Sequence, residues 1–232
     1  MTDSESREFG SICRVFPLPG VVLLPHTVLP LHIFEPRYRQ MTSDALQSDQ
    51  LIAITQFATP RSADPDLGPD SETEPPLDEH GCLGQIIRHE RLPDGRYKLL
   101  LLGRKRIQVL DEIPTTKLYR VVRMALVDDV VDSHSAHLRD PLRQIFSEIM
   151  QSHGVVTPEL TELLQADVPL AVLTDVFVHA LNLPMSIKRE FLIEPNVSAR
   201  ARQLIDLLKR VREQSCGPES TPRSFPPPFS TN

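Results

Sequence analysis

The chain has 232 residues, of which 40% are hydrophobic and 22 are proline, and carries a formal net charge of −6. That length holds one large domain or two small ones around a sizeable core, and twice the usual share of proline points to a folded body with proline-rich loops or tails. The negative balance argues against a dedicated nucleic-acid binder, three scattered cysteines without a CxxC pair give no disulfide framework or thiolate zinc site, and no apolar run reaches the ~20 residues of a bilayer span.

The first ten residues are acidic and polar, lack the layout of a signal peptide, and are expected to be mobile. With Cys13, Cys82 and Cys216 unpaired by spacing, a reducing cytoplasm is the expected home. Residues 16–41 read FPLPGVVLLPHTVLPLHIFEPRYRQM. Pro17, Pro19, Pro25 and Pro30 rule out a helix through this stretch, because each ring removes a donor and clashes with the preceding turn. The apolar runs at residues 21–24 and 28–34 are expected as buried strands, and Glu35-Pro36 starts a helix followed by Tyr38, Met41 and Ala45 at helical spacing. LIAITQF at residues 51–57 reads as a further strand.

Residues 58–80 hold five prolines and seven carboxylates against one arginine. Such a segment buries too little apolar surface to offset its ordering entropy, so it reads as a flexible loop, with an acidic docking or metal-binding loop as the functional alternative; the elements on the Leu67 side are candidate contacts of an apolar binding groove. Residues 81–110 then form a hairpin about Leu92-Pro93-Asp94-Gly95, a tight-turn sequence. Gly84 and Gly103 are expected at bulges or close approaches, and Gly103 is expected to divide the second arm into two strands. YRVVRMALV at residues 119–127 completes an antiparallel, barrel-like sheet.

From Ser133 the apolar period changes from two to 3.6. Helices are expected from Asp140-Pro141, from Thr157-Pro158, over residues 167–181, from Ser186 to Ile193, and over residues 197–213. The last carries Val197, Ala201, Leu204, Leu208 and Val211 on one face. Arg200, Arg202, Lys209, Arg210 and Arg212 read as its solvated face. The end, with FPPPF at residues 225–229, reads as disordered, and that pentapeptide as a weak polyproline ligand.

PLPGVVLLPHTVLPLHIFEPRY resembles the opening of the Lon N-terminal domain, the substrate-binding module that precedes the ATPase and peptidase parts of Lon proteases. The hairpin with Gly84, Gly95, Gly103 and Arg106 resembles a second landmark of that family, and the last helices resemble a third. The resemblance implies an α+β fold: a PUA-like, β-rich pseudo-barrel over residues 11–132 followed by a helical subdomain over 133–214, with a disordered start (1–10) and proline-rich tail (215–232). It also implies a binding module for unfolded or apolar polypeptide segments, alone or for a protease or chaperone. None of the five lysines follows a glycine, so no phosphate-binding loop of the ATPase kind is present.

No nucleophile elbow or His/Cys/acid constellation appears, so no catalytic residue, cofactor or metal is expected. His134 and His137 are three apart but have no third ligand at a metal-site spacing, and His26 and His32 read as structural imidazoles. Phe34, Arg37, Tyr38 and Arg106 are the candidate partner-binding residues; the two arginines also suit a structural role, holding carbonyls or a carboxylate such as Glu35. The rival reading is RNA binding through Arg88, His89, Arg91, Arg104, Lys105 and Arg106, which lack the interleaved aromatics that single strands stack upon.

Overall fold

A computed structural model of the chain describes residues 11–58, 75–133, 135–152 and 158–215. The expectations for the first ten residues, for the acidic loop at residues 59–74 and for the tail beyond Ser215 lie outside these. Six strands come first: β1 (Ile12–Pro17), β2 (Val28–Ile33), β3 (Leu51–Phe57), β4 (Leu77–Arg91), β5 (Tyr97–Ile113) and β6 (Arg120–Val127). Helix α1 (Pro36–Leu46) separates β2 from β3. Glu35 caps it in extended conformation with Pro36 in its first turn, and Tyr38, Met41, Thr42 and Ala45 form its buried face.

The strands lie in the order β2-β5-β4-β3-β1-β6, and β6 pairs back with β5. The ring β5-β4-β3-β1-β6 is therefore closed, and among the described residues β2 is an edge strand hanging on β5. One pairing departs from the antiparallel expectation: β1 runs parallel to β3, with Val15 opposite Ala53. The chain between them leaves the ring to build β2 and α1, and such a crossover returns the next strand in the same direction.

Three local expectations need correction. Residues 21–24 form no strand: Pro19 and Pro25 hold them irregular, and Val22, Leu23 and Leu24 plug the core as an extended cord. β5 runs unbroken through Gly103, which marks a close approach to the Leu24 carbonyl rather than a strand end. β4 starts inside the segment read as loop, because Thr55 Oγ1 donates to the carbonyls of Asp78 (3.0 Å) and His80 (2.8 Å) and fixes residues 77–80 on β3.

After a short 3₁₀ turn (Ala136–Leu138) come α2 (Arg139–Ser152), α3 (Pro158–Gln165), α4 (Leu170–Ala180), α5 (Met185–Ile193) and α6 (Val197–Ser215). Their apolar stripes do not make a separate core. Leu142, Phe146, Phe177, Leu204 and Leu208 belong to one cluster with Leu23, Met41 and Leu101 of the β portion. Phe146 and Phe177 stack within it, ring centroids 3.7 Å apart. A second cluster, including Val15, Leu83, Ile107 and Val122, fills the ring of strands. Cys13 and Cys82 lie in these cores, where burial pushes both thiols up to about 12, so neither is a nucleophile at neutral pH.

Candidate functional site

The four candidate residues separate into two environments. Tyr38 is buried against Phe16, ring centroids 4.2 Å apart, with the Arg37 guanidinium 4.6 Å above its ring. Arg37 Nε also donates to Glu35 at 3.0 Å, the local partner that the sequence suggested. Phe34 is 59% exposed at the end of β2.

Arg106 points inward and is only 3% exposed, so it is not part of a basic surface. All five of its N–H donors are engaged. Nε donates to Leu192 O (3.1 Å) and Nη2 to Phe191 O (3.2 Å), the last carbonyls of α5. Asp175 on α4 takes a fork of two bonds, 2.5 Å from Nη2 and 3.2 Å from Nη1, and Asp129 takes a further bond from Nη1 at 3.3 Å. Burial opposes the charge, but Asp175 outweighs it and holds the guanidinium pKa above its ordinary value. Asp129 also accepts from Arg200 Nη1 at 2.8 Å. Arg200 is fully buried, which corrects its assignment to a solvated helix face. Two arginines and two aspartates thus balance one another where β5 meets the helices.

Asp129, Asp175 and Arg200 were not among the sequence candidates, yet each left a trace. Asp175 is a lone carboxylate in the apolar run LAVLTDVFV, and Arg200 falls in the stripe between Val197 and Leu204. Charges in such places need partners, since neither tolerates burial alone.

A second cross-link lies beside a narrow cleft lined by Val21, Thr55, Gln56, His80 and Leu192, with room for about one water molecule. Arg189 of α5 grips Asp78 of β4 through Nε (2.5 Å) and Nη2 (2.9 Å). Burial raises the Asp78 carboxyl, but Arg189 and the His80 N–H outweigh it, and its pKa lies below the ordinary 3.8. Stability from such a group is present above the unfolded value and is lost as pH falls through the folded one. Arg189→Gln is therefore expected to lower stability at neutral pH and to raise the acid-unfolding midpoint, with the two proteins converging as pH drops below 3.8. Far-UV circular dichroism against pH checks this; coincident midpoints would remove the clasp from the account.

The Arg106–Asp175 cluster is closed to a partner, and the second cross-link leaves only the Arg189 side chain partly exposed beside a cleft too small for a peptide. The accessible feature is the outer face of β2 and β5. Register places Val28 opposite Leu102 and Pro30 opposite Leu100, and Leu102 and Leu100 lie opposite Gln85 and Arg88 of β4. Their neighbours Leu99 and Leu101 are buried, as the two-residue period requires, whereas Leu100 and Leu102 are only partly buried. Phe34 extends this apolar strip along β2, its ring 6.1 Å from that of His32. Ile87, unpaired in the bulge between Ile86 and Arg88, is 50% exposed. Two strands and a bulge so present an apolar strip roughly 10 Å wide and 20 Å long.

The free edge of β2 is less inviting. Gly103 N donates to Thr27 O at 2.9 Å. In that phase of the ladder Pro30 sits in a non-hydrogen-bonded pair, its nitrogen directed at the open edge. The donor missing there interrupts pairing with any added strand.

Of the basic cluster, Arg88, His89, Arg91 and Arg104 are exposed, Lys105 is ion-paired to Asp128 at 3.2 Å, and Arg106 has turned inward. His134, half of the proposed histidine pair, and Leu67 lie outside the described residues. Among the described residues no group of three or more His, Cys, Asp or Glu is placed to hold a metal, and no helix is long and apolar enough to cross a membrane.

A family model described as the ATP-dependent protease La (LON) substrate-binding domain matches residues 12–210. The chain is similar to Lon protease 2 of Myxococcus xanthus, 22% identical over 209 residues, covering 89% of this chain and 24% of the relative. It is similar also to Lon protease of Roseiflexus castenholzii, 26% identical over 208 residues, covering 89% and 25%. It thus spans about a quarter of the length of the curated relatives it matches. Among solved structures, the N-terminal domain of Mycobacterium avium complex Lon protease superposes with a TM-score of 0.67 at 18% identity, covering 85% of this chain and 98% of that one. A Lon N-terminal domain protein from Xanthomonas campestris gives 0.57 at 20% identity, covering 84% and 97%.

Proposed function

The chain belongs to the family of LON substrate-binding domains, and we propose that it is a non-enzymatic module that holds exposed apolar segments of unfolded or partner polypeptides. The observation that supports this is the apolar strip along β2 and β5, where Val28 and Phe34 are exposed and Leu100 and Leu102 are partly exposed side by side. Affinity comes from side chains laid onto that face, because Pro30 interrupts the edge. A bound segment is kept from aggregating, or is passed to a protease or chaperone. The free, buried Cys13 and Cys82 suit a reducing cytoplasm.

The test uses reduced, carboxymethylated α-lactalbumin, a permanently unfolded chain, in a polarisation titration without nucleotide. Binding is expected, and most of it is expected to persist at high salt. Leu100→Ser with Leu102→Ser is expected to weaken it about tenfold, from the lost apolar area. Phe34→Ser, at an exposed position outside the strand, reports on the same face with no burden on folding. A steep fall with salt and tighter binding of RNA would favour the basic residues instead. Binding unaltered by all three substitutions would refute this face.

A further inference from the structure

The charges that border the apolar strip are not balanced. Each carboxylate near the tip of the β4–β5 hairpin has its own cation: Glu90 faces Lys98 at 3.6 Å, Asp94 accepts from Arg96 Nε at 2.6 Å, and Glu35 is held by Arg37. Arg88 and Arg104 have no such counterpart among the described residues, and both are exposed. They flank the Leu100–Leu102 part of the strip, with Phe34 lying beyond Arg88. Arg88 is opposite Leu100, and Arg104 is two residues beyond Leu102, where a bulge leaves it unpaired between Gly103 and Lys105. On a chain whose overall charge is −6, this face is locally positive.

We infer that the strip selects apolar segments bracketed by acidic residues, Arg88 and Arg104 each taking a carboxylate at one end. This rests on the reading of the face as a polypeptide-binding surface and adds its charge preference. From Leu100 to Arg104 along β5 is about 13 Å, so the two carboxylates of a bound extended segment are separated by about four residues. An exposed arginine offers a planar fork suited to a carboxylate, and the apolar floor beside it lowers the competition from water. The geometry also disfavours RNA. The strip between the two arginines is aliphatic, so it offers no aromatic ring for a base to stack on between two phosphate contacts.

Three fluorescent peptides test this, sharing one apolar core and carrying glutamates, glutamines or lysines four residues apart. At low salt the expected order of affinity is glutamate, glutamine, lysine, each step about threefold, with the spread narrowing as salt is added. Arg88→Glu with Arg104→Glu should invert the order and leave the glutamine peptide unchanged. If the glutamine peptide binds but all three bind alike, the charge preference is wrong and the apolar face stands. If the glutamine peptide does not bind, the face itself is wrong and the inference goes with it. Displacement of the glutamate peptide by a uridine decamer of higher affinity would also overturn the inference, assigning the two arginines to phosphate.

Discussion

Replacing Arg106 with methionine is expected to destabilise the protein by about 3–5 kcal/mol, the range for removing one partner from a buried ion pair. Asp175 is 1% exposed, and without Arg106 its nearest cation is Arg200 Nε at 3.9 Å, beyond hydrogen-bonding distance. The carbonyls of Phe191 and Leu192 lose their donors at the same time, at a helix end where the backbone supplies none. Urea unfolding followed by far-UV circular dichroism measures the loss. Arg106→Met with Asp175→Leu should recover much of it, because the penalty comes from the carboxylate left alone and not from the missing attraction. A loss below about 1 kcal/mol for the single variant would mean that water or a rearranged Arg200 reaches Asp175, and the cluster would not be the clasp described.

This residue also shows where sequence reading reaches its limit. The sequence marks Arg106 as an arginine suited to hold carbonyls or a carboxylate, and it holds two of each. Which carboxylate was invisible, because Asp175 lies 69 positions away and only the packing of α4 on β5 brings it near. Local features were legible for the opposite reason. The turn at Leu92-Pro93-Asp94-Gly95 has Gly95 at φ +80 and its N–H on Leu92 O at 2.9 Å, and all its determinants lie within four residues. The helix start at Glu35-Pro36 and the stripe of α6 are equally local.

Strand identity at residues 21–24 was not local. An apolar run between prolines suits a strand and a core-filling cord alike, and the choice depends on whether a neighbour offers a ladder. The face proposed for binding is half legible. Phe34 was named, but Leu100 and Leu102 sit inside a run of four leucines where period two cannot show which pair faces water. Packing settles that: Leu99 and Leu101 turn onto the cluster shared with Leu23, Met41 and the helices.

Gly103→Ala is the other substitution expected to have a large effect, about 3 kcal/mol or more, although it adds a single methyl group. A Cβ on Gly103 would stand 2.1 Å from the Leu24 carbonyl oxygen and 2.9 Å from its carbon, and backbone held between Leu23 and Pro25 cannot swing aside like the end of a side chain. Two hydrogen bonds hold the strands at this point: Gly103 N to Thr27 O at 2.9 Å, and His26 N to Gly103 O at 2.8 Å. Relieving the clash means parting them, which also displaces β2 and the strip it carries. Gly20→Ala is the control. Gly20 has φ +78 with nothing within 4 Å of an added Cβ, so it bears backbone strain alone, about 1 kcal/mol. Thermal and urea unfolding of the two variants separate close approach from conformational preference. If they lose similar amounts, the proline-fixed cord does not constrain the hairpin, and the apolar face would owe its shape to β4 and β5 alone.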